Sequence, residues 1–377
     1  MKNTLNYLFK KKFFFIFLLI LILLQISNLS NQNIHGFNNL GFNDLKWSGS
    51  NLFFQKKNIY EIFYSNNYEN QIIGTQFPNY LISSIYFHLP LGYFEFDIAK
   101  IIWTIFSTIL LINCYLLFDK KNFLIKNQDI IIFFSFIILL ISKPFNMLIS
   151  NGNFSIVCFW ALNYFFLNQN NIKIIPIFLV LIKYSFAPIL ILYSILQKKI
   201  KILLIVLLIN ILLLFHFSYL FSYNFFQLSI DPLIIGSQTT ASGFLDLQTL
   251  FGNHPSNITL KYLIIILISL VFYLIIYRLT LRDALFDLCL LSLVTLFFFK
   301  HLYYDQVLLL PLLIYSFKLS LKSRVIILSI IFYYWFIAYL EFLHPIRYWK
   351  SFMLFNNSLC LICIYLIFNS KRLSKKK

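Results

Sequence analysis

The 377-residue sequence is 60% hydrophobic and only 12% charged, and its mean hydropathy is +0.79. Water-soluble domains are about 45–50% apolar and about 25% charged, so this composition excludes that class and indicates an integral membrane protein. The formal net charge of +18 does not indicate nucleic-acid binding, because Lys and Arg lie mainly between apolar runs and at the two ends, where they mark membrane topology.

Apolar runs recur along the whole chain, which predicts one all-α polytopic membrane domain over residues 1–377. At about 20 residues for each crossing, about twelve spans are predicted, near 13–29, 79–96, 98–118, 129–149, 153–167, 174–196, 202–223, 262–277, 284–299, 306–318, 325–341 and 351–369. Lysines before the first span and after the last predict two cytoplasmic termini, hence an even number of crossings. No small-x-small cleavage site follows the first run, which we interpret as an uncleaved span.

One basic loop conflicts with twelve crossings. Segment 119–128 carries Lys120, Lys121 and Lys126, yet this count places it outside the cell. If the short runs 79–96 and 153–167 enter the membrane without crossing it, the loop becomes cytoplasmic and the termini stay on the same side. We adopt twelve crossings and keep the re-entrant arrangement as the alternative.

Two long connections, 30–78 and 224–260, are predicted to lie on the same, outer side of the membrane. Long loops in membrane proteins often carry function. In the first, SNLFFQKKNIYEIFYSNNY has the spacing of an amphipathic interfacial helix. In the second, a short helical turn is predicted at FLDLQTLF.

Two charged residues are the main functional candidates. Lys183 lies well inside the predicted span 174–196, where a charge costs roughly 2.5–3.5 kcal/mol and needs a partner or a role. Two interpretations of Lys183 are open: its side chain extends to a membrane interface, or its ammonium binds a phosphate or carboxylate. Asp44 follows Asn43 just before an aromatic segment, where it is either a helix N-cap or a carboxylate that faces a cavity.

Other polar positions have ordinary structural interpretations. Asp305 opens a predicted span, where an N-cap is the favoured role, and no second His or carboxylate near His301 has metal-ligand spacing. The NGN sequence at 151–153 is interpreted as a tight turn. The five cysteines all lie in apolar runs and suggest neither a disulfide framework nor a metal site.

Four sequence blocks occur in an order and spacing typical of one enzyme family. The first, NDLKWSGSNLFFQKKNIYEIF, gives an acid, Asp44, ahead of an aromatic-containing helix and a later Tyr. The second, FPNYLISSIYFHLPLGYFEFDIAKIIW, contains Pro78, Pro90 and Trp103.

The third block, which begins at NGN, gives Gly152, Lys183 and Pro188, and it has Asn153 where a Gln is expected. The fourth, YYDQVLLLPLL, is a Tyr-Asp pair followed by an apolar run with Pro311. Together, over about residues 41–316, these blocks resemble glycosyltransferase family 87 of the GT-C superfamily.

The resemblance implies a GT-C-like bundle in the plasma membrane whose active site faces outward. It implies an inverting hexosyltransferase, with mannose the best-known sugar, that uses a polyprenyl-phosphate donor and a lipid-linked or envelope glycan acceptor. In this superfamily the acid of the first loop is the usual candidate base, which assigns that role to Asp44.

The remaining site residues follow from the chemistry that such a reaction needs. The departing lipid phosphate gains negative charge, so we assign Lys183 to it, with His301 and Lys300 as second choices. Three aromatic residues next to acidic positions, Trp47, Tyr60 and Tyr304, are assigned to the sugar or acceptor, together with Asp305. No cofactor or obligatory metal is predicted, because no carboxylate pair is spaced for a divalent ion.

Two further function classes remain open. A transporter or flippase of lipid-linked saccharides would also need many spans and an intramembrane cation, although no two similar halves are evident. A polymerase of lipid-linked saccharides would need strongly basic external loops, and the loop 224–260 contains no Lys or Arg.

Overall fold

A computed structural model describes residues 2–33, 42–65, 68–168, 173–239, 247, 258–280, 283–339 and 350–375. Within these ranges every regular element is helical. The helices are α1 (Lys2–Asn33), α2 (Trp47–Phe54), α3 (Ile59–Tyr64), α4 (Ser83–Gly92), α5 (Phe96–Lys120), α6 (Gln128–Ile141), α7 (Lys143–Ser150), α8 (Ser155–Leu167), α9 (Ile174–Ile182), α10 (Ala187–Leu196), α11 (Ile200–Phe221), α12 (Phe225–Thr239), α13 (Ile258–Leu279), α14 (Ala284–Phe298), α15 (Leu310–Ser316), α16 (Leu321–Phe336) and α17 (Lys350–Lys375), with 3₁₀ turns at Tyr68–Asn70, Tyr303–Leu309 and Ile337–Tyr339.

Four helices are long and apolar enough to cross a membrane: α5, α11, most of α13 and the central part of α17. The pair α6 and α7 passes the same test as one unit, with a bend of 62° between them. These helices support the prediction of an all-α membrane protein. The number of twelve crossings stays a prediction, since in the described part of the chain four helices, or five spans with the bent pair, pass this test of length and hydropathy.

The two runs that raised doubt about topology form short helices. α4 has 10 residues and α8 has 13, which at about 1.5 Å per residue gives lengths of roughly 15 and 20 Å. The hydrocarbon core is about 30 Å thick. By length, neither helix crosses it alone, and the alternative in which 79–96 and 153–167 enter without crossing fits these lengths.

The predicted span 174–196 is two helices rather than one. α9 ends at Ile182, residues 183–186 form a turn, and α10 begins with Pro188 in its first turn, where proline is well tolerated. The freed carbonyl of Ile182 accepts a hydrogen bond from the Leu81 N–H at 3.2 Å. A broken helix persists inside a membrane protein only where such partners satisfy its backbone.

Both long connections contain more helix than the sequence suggested. The first has two short helices, α2 and α3, in place of one amphipathic helix, and α2 packs on α4 through a 2.9 Å hydrogen bond from Ser50 Oγ to the Ile85 carbonyl. In the second, residues 225–239 form α12, a helix that the sequence analysis did not predict. The predicted turn at 244–251 lies outside the described residues, except for Leu247.

The main core centres on α14. Every side chain of α14 from Leu285 to Phe298 is buried, as expected for a helix surrounded by others. A second, smaller core joins the first long connection to α11 and α12 and contains Tyr60 and Phe217.

Candidate functional site

A polar cavity lies where the first long connection meets the helix breaks. Its lining residues come from widely separated parts of the chain: Asp44, Lys46, Asn79, Tyr80, Lys183, Tyr184, Ser185, Lys300, His301, Leu302, Tyr304 and Asp305. Six of the eight residues that the sequence assigned to a site are in this set. The polar cavity therefore gathers most of the predicted site, although the roles of these residues stay proposals.

The end of α7 positions one wall of the polar cavity. The Asn153 N–H bonds the Leu148 carbonyl and the Gly152 N–H bonds the Ile149 carbonyl, both at 3.1 Å. With Gly152 at φ +60°, this is a Schellman motif, a helix C-terminal cap that requires a left-handed residue. The NGN sequence is thus a helix cap that also directs Asn153 into the site, which corrects its interpretation as a simple turn.

The same turn holds the segment that carries Asp44. The Phe42 N–H bonds the Ser150 carbonyl at 2.7 Å, and the Asp44 N–H bonds the Asn151 carbonyl at 2.9 Å. α2 begins only at Trp47 and has no side-chain cap. The N-cap alternative for Asp44 is therefore wrong, and its carboxylate is available for other partners.

The Asp44 carboxylate is oriented by two side chains. Thr75 Oγ1 donates to Oδ1 at 2.9 Å, and Asn153 Nδ2 lies 3.3 Å from Oδ2. Asn153 Nδ2 also lies 2.7 Å from the Tyr304 hydroxyl, and Asn153 Oδ1 accepts from the Ser155 N–H at 2.8 Å. Asp44 remains partly exposed. Asn153 thus links the acid to Tyr304.

Lys183 forms a buried ion pair at the break between α9 and α10. Its ammonium lies 2.6 Å from Oδ1 and 2.7 Å from Oδ2 of Asp305, and it donates to Ser155 Oγ at 2.7 Å. The Lys183 side chain is 8% exposed and the Asp305 side chain is fully buried. Snorkelling to an interface is therefore excluded for Lys183.

Asp305 sits among donors from several elements. Besides Lys183, its carboxylate accepts from Ser155 Oγ and from the Leu302 N–H at 3.3 Å, and His301 Nδ1 lies 2.9 Å from Oδ2. His301 Nε2 lies 3.1 Å from the Thr295 carbonyl, which can only accept and so requires a hydrogen on that nitrogen. Asp305 occupies the third position of the 3₁₀ turn rather than its N-cap.

The burial of Asp305 bears on its predicted role. A fully buried carboxylate that already accepts four hydrogen bonds has no surface for a sugar hydroxyl. The geometry instead makes it the counter-ion that fixes Lys183. This corrects the assignment of Asp305 to sugar or acceptor binding.

Lys46 contributes a second ammonium group to the polar cavity. Its Nζ donates to the Phe77 carbonyl at 3.1 Å and lies 4.9 Å from the centroid of the Tyr80 ring. Lys183 Nζ lies 5.9 Å from the same ring, so Tyr80 contacts both cations through its aromatic face. Burial lowers the pKa of Lys46 to about 8, an effect that Asp44 opposes and Lys183 reinforces.

The cavity lining carries more basic than acidic groups. Lys46, Lys183 and Lys300 give three ammonium groups, against the two carboxylates of Asp44 and Asp305, an excess of one positive charge before His301 is counted. In a water-poor cavity such an excess favours an anionic ligand.

An apolar groove lies beside the polar cavity. Its walls come mainly from α10, α12 and α13, and include Ile191, Leu233 and Ile266. Tyr184 lines both the groove and the polar cavity, and Leu81 in the groove directly follows Tyr80 in the cavity. A ligand with a polar head and an apolar chain can therefore occupy both.

Two predicted sugar-binding aromatics are not in the polar cavity. The Trp47 indole N–H donates to the Phe94 carbonyl at 3.0 Å and its ring packs on Phe96. Tyr60 is fully buried in the second core, with its ring 5.8 Å from that of Tyr223. Both assignments are corrected, because nearness in sequence to an acid did not bring either ring to the cavity.

Several cavity residues were missed by sequence reasoning. Lys46 lies two positions after Asp44, and Tyr80 two positions after Pro78, so each had a local signal in a block already singled out. Asn79 and Ser185 had no such signal, because an isolated Asn or Ser in an apolar sequence is common.

Within the described ranges, His, Cys, Asp and Glu side chains form no group of three or more that could hold a metal ion. In comparisons with known proteins, no family model, no curated protein and no solved structure matches the chain. Any assignment of function therefore rests on the geometry of the polar cavity and the groove.

Proposed function

We propose that this protein is a membrane glycosyltransferase that moves a hexose from a polyprenyl-phosphate donor to a lipid-linked or envelope glycan acceptor at the outer face of the membrane. The observation that carries the proposal is the junction of a cationic cavity, which contains an accessible carboxylate, with an apolar groove at Tyr184. A polyprenyl-phosphate sugar has the matching parts: an anionic head, a sugar and a long apolar tail. The blocks that resemble glycosyltransferase family 87 point to the same class, with mannose as the first sugar to test.

In the proposed reaction, Asp44 is the general base. As the acceptor hydroxyl attacks the anomeric carbon, its proton passes to the Asp44 carboxylate. Thr75 and Asn153 hold that carboxylate in place through hydrogen bonds to its two oxygens. The attack comes from the face opposite the phosphate, so the product has the inverted configuration.

The leaving group is the lipid phosphate. When the bond between the anomeric carbon and the phosphate oxygen breaks, the electron pair stays on that oxygen, and the phosphate gains negative charge. The ammonium groups of the cavity stabilise this charge, and they do so more strongly in the transition state than in the bound donor. The lipid tail lies in the apolar groove, where its burial contributes binding free energy.

A transporter or flippase of lipid-linked saccharides is the second candidate. Two interrupted helices favour it, α6 with α7 and α9 with α10, because discontinuous helices often form the substrate sites of transporters. Such a protein would bind the same donor but would not need a base at position 44. The two candidates therefore predict different effects of one substitution.

To test the proposal, membranes that contain the full-length protein are incubated with radiolabelled polyprenyl-phosphate mannose and, separately, with radiolabelled polyprenyl-phosphate glucose. Wild-type protein should transfer label from one donor to a lipid or glycan product. Asp44→Asn, which keeps the shape but removes the base, should reduce transfer by about 100-fold or more while donor binding persists. Asp129→Asn, an acid at the start of α6 that does not line the cavity, is the matched control and should transfer normally.

Transfer by Asp44→Asn at the wild-type rate would contradict the proposal. Absence of transfer from either donor, together with donor movement across proteoliposomes that Asp44→Asn leaves unchanged, would establish the transporter instead.

A further inference from the structure

Lys46 and Lys183 differ in how the protein uses their charge. Asp305 contacts the Lys183 ammonium with both of its oxygens. Lys46, also buried, donates to one backbone carbonyl, that of Phe77, and in the described part of the chain it has no carboxylate within ion-pair distance. The charge of Lys183 is largely neutralised by a bidentate carboxylate, whereas Lys46 contacts only the Phe77 carbonyl dipole and the Tyr80 ring and feels the Asp44 carboxylate from beyond ion-pair distance.

We propose that Lys46 is the ammonium group that binds the donor phosphate, and that Lys183 is a positioning residue which, together with Asp305, shapes the cavity. A phosphate beside Lys46 would replace a weak neutral partner with a charge-assisted one, a stronger interaction in a buried site. Binding at Lys183 would instead require competition with a bidentate carboxylate. This inference rests on the proposed function for the identity of the ligand, a lipid phosphate.

Lys46 also lies close to the proposed base along the chain. It is two residues from Asp44, in the segment that α7 holds through the hydrogen bond between the Asp44 N–H and the Asn151 carbonyl. One backbone segment therefore carries both the group that accepts the proton and the group that stabilises the leaving phosphate. Their separation is fixed locally and does not depend on helix movements.

Two other cavity atoms point to the sugar. Asn79 Oδ1 and Ser185 Oγ are buried, line the polar cavity and have no hydrogen-bond partner among the described residues. Buried polar atoms are nearly always paired, so an unpaired acceptor and hydroxyl in a cavity indicate a ligand. We infer that they hydrogen-bond hydroxyl groups of the hexose. This second inference is independent of Lys46, because it depends on unpaired oxygens rather than on charge.

Binding assays with two ligands separate these roles without requiring turnover. The full-length protein in lipid nanodiscs is titrated with bare polyprenyl phosphate, which has no sugar, and with polyprenyl-phosphate mannose. At about pH 7, Lys46→Met should weaken binding of both ligands by about tenfold or more, since both carry the phosphate. Lys46→Arg should bind both ligands nearly as tightly as the wild type. Lys100→Met, at a buried lysine paired with Asp97 outside the cavity, should bind normally.

The pH dependence gives a readout that a purely structural role for Lys46 would not change. The titratable and charged groups around it in the cavity are Asp44, Tyr80, Lys183, Lys300, His301, Tyr304 and Asp305, with His88 nearby on α4. Because the pKa of Lys46 is lowered to about 8, wild-type affinity for the lipid phosphate should fall between about pH 7 and 9.5 as the ammonium loses its proton. Lys46→Arg should retain its affinity, since Arg stays charged.

Asn79→Ala and Ser185→Ala should weaken binding of polyprenyl-phosphate mannose by about fivefold or more and leave bare polyprenyl phosphate unaffected. Equal losses for both ligands, or no loss for either, would overturn the sugar assignment.

The Lys46 assignment would be overturned if Lys46→Met bound both ligands like the wild type, or if affinity were independent of pH up to about 9.5. It would also be overturned if the balanced variant Lys183→Met with Asp305→Leu lost all phosphate affinity while Lys46→Met kept it. Binding that follows these predictions without any sugar transfer would support the Lys46 site and refute the proposed glycosyltransferase.

Discussion

Lys183 and Asp305 form a bidentate ion pair, with Nζ 2.6 and 2.7 Å from the two carboxylate oxygens, between residues 122 positions apart in the sequence. The pair joins the break between α9 and α10 to the 3₁₀ turn after α14. Because both side chains are buried, the interaction depends on mutual neutralisation and on Ser155 Oγ, which accepts a hydrogen bond from Lys183 and donates one to Asp305.

Lys183→Met alone and Asp305→Leu alone should each destabilise the protein, because each leaves one buried charge without its partner. The expected cost is about 3–5 kcal/mol for either change. The double variant should recover much of this loss, since two apolar side chains of similar size then face each other. Thermal unfolding of the purified protein in detergent measures the effect. Equal unfolding temperatures for the single and double variants would contradict it.

Asn153→Ala should reduce the rate of sugar transfer more than it reduces donor binding. The amide joins Asp44 to Tyr304, and without it the base loses one of its two orienting contacts. Small displacements of a catalytic group can cost about 100-fold in rate. Steady-state kinetics should show a lower kcat with little change in KM. Asn163→Ala, at a buried Asn of α8 outside the cavity, is the control, and an equal loss there would point to general destabilisation.

Gly152→Ala should damage both stability and transfer. The residue has φ +60°, which costs roughly 1–2 kcal/mol for a residue with a side chain, and an added Cβ would overlap the ring of Phe42. Phe42 begins the segment that carries Asp44, so its displacement should move the base. Melting temperature and transfer rate are measured together. Gly49→Ala, inside helix α2, is the comparison and should have a smaller effect on both.

Ala187→Trp should fill part of the apolar groove. Ala187 lies at the start of α10 and lines the groove next to Tyr184. We expect the KM for a long-chain polyprenyl donor to rise by about tenfold or more, while a short-chain donor with the same head group is used normally. An equal effect on both donors would show that the tail does not occupy this groove.

Substitution of Asp283 should lower the stability of the protein and leave the rate of sugar transfer unchanged. It caps α14 and lies 3.3 Å from Lys318 and 2.7 Å from Lys371. Burial acts to raise the pKa of Asp283, but Lys371, the Phe286 N–H and Lys318 together lower it below its ordinary value. Asp283→Ala should cost about 1 kcal/mol through loss of the cap, with an unchanged transfer rate.

The pH dependence of this effect follows from the direction of that shift. A carboxyl group whose folded-state pKa is lowered contributes stability that is present above its unfolded pKa, near 4, and is lost as pH falls through the folded value. The difference in melting temperature between the wild type and Asp283→Asn, which keeps a capping side chain, should therefore shrink below about pH 4. A difference independent of pH would exclude the charge of Asp283 as its cause.

The amino-acid sequence predicted the helical segments well. Each of the twelve predicted spans overlaps a helix or a pair of short helices. This agreement is expected, because the hydropathy of a segment depends only on residues that are neighbours in the sequence. It could not show that α9 and α10 are separate. The break at Lys183 depends on Leu81, which satisfies the freed carbonyl of Ile182 and lies about 100 residues away in the sequence.

The candidate site was only partly visible in the sequence. Asp44 and Lys183 stood out because charged residues are rare in such an apolar chain, and both line the polar cavity. Trp47 and Tyr60 were chosen because they sit near acidic positions in the sequence, yet their rings pack elsewhere because helix direction decides where a side chain points.

The sequence by itself determined that this chain is an all-α membrane protein, because hydropathy is summed over neighbouring residues and needs no knowledge of contacts. Only the tertiary structure decided that Asp305 neutralises Lys183, that Lys46 lines the same cavity as Asp44, and that Asn153 contacts the Asp44 carboxylate. Electrostatic pairing depends on distances of a few ångströms between residues that are far apart along the chain, and those distances are set by the packing of the whole bundle.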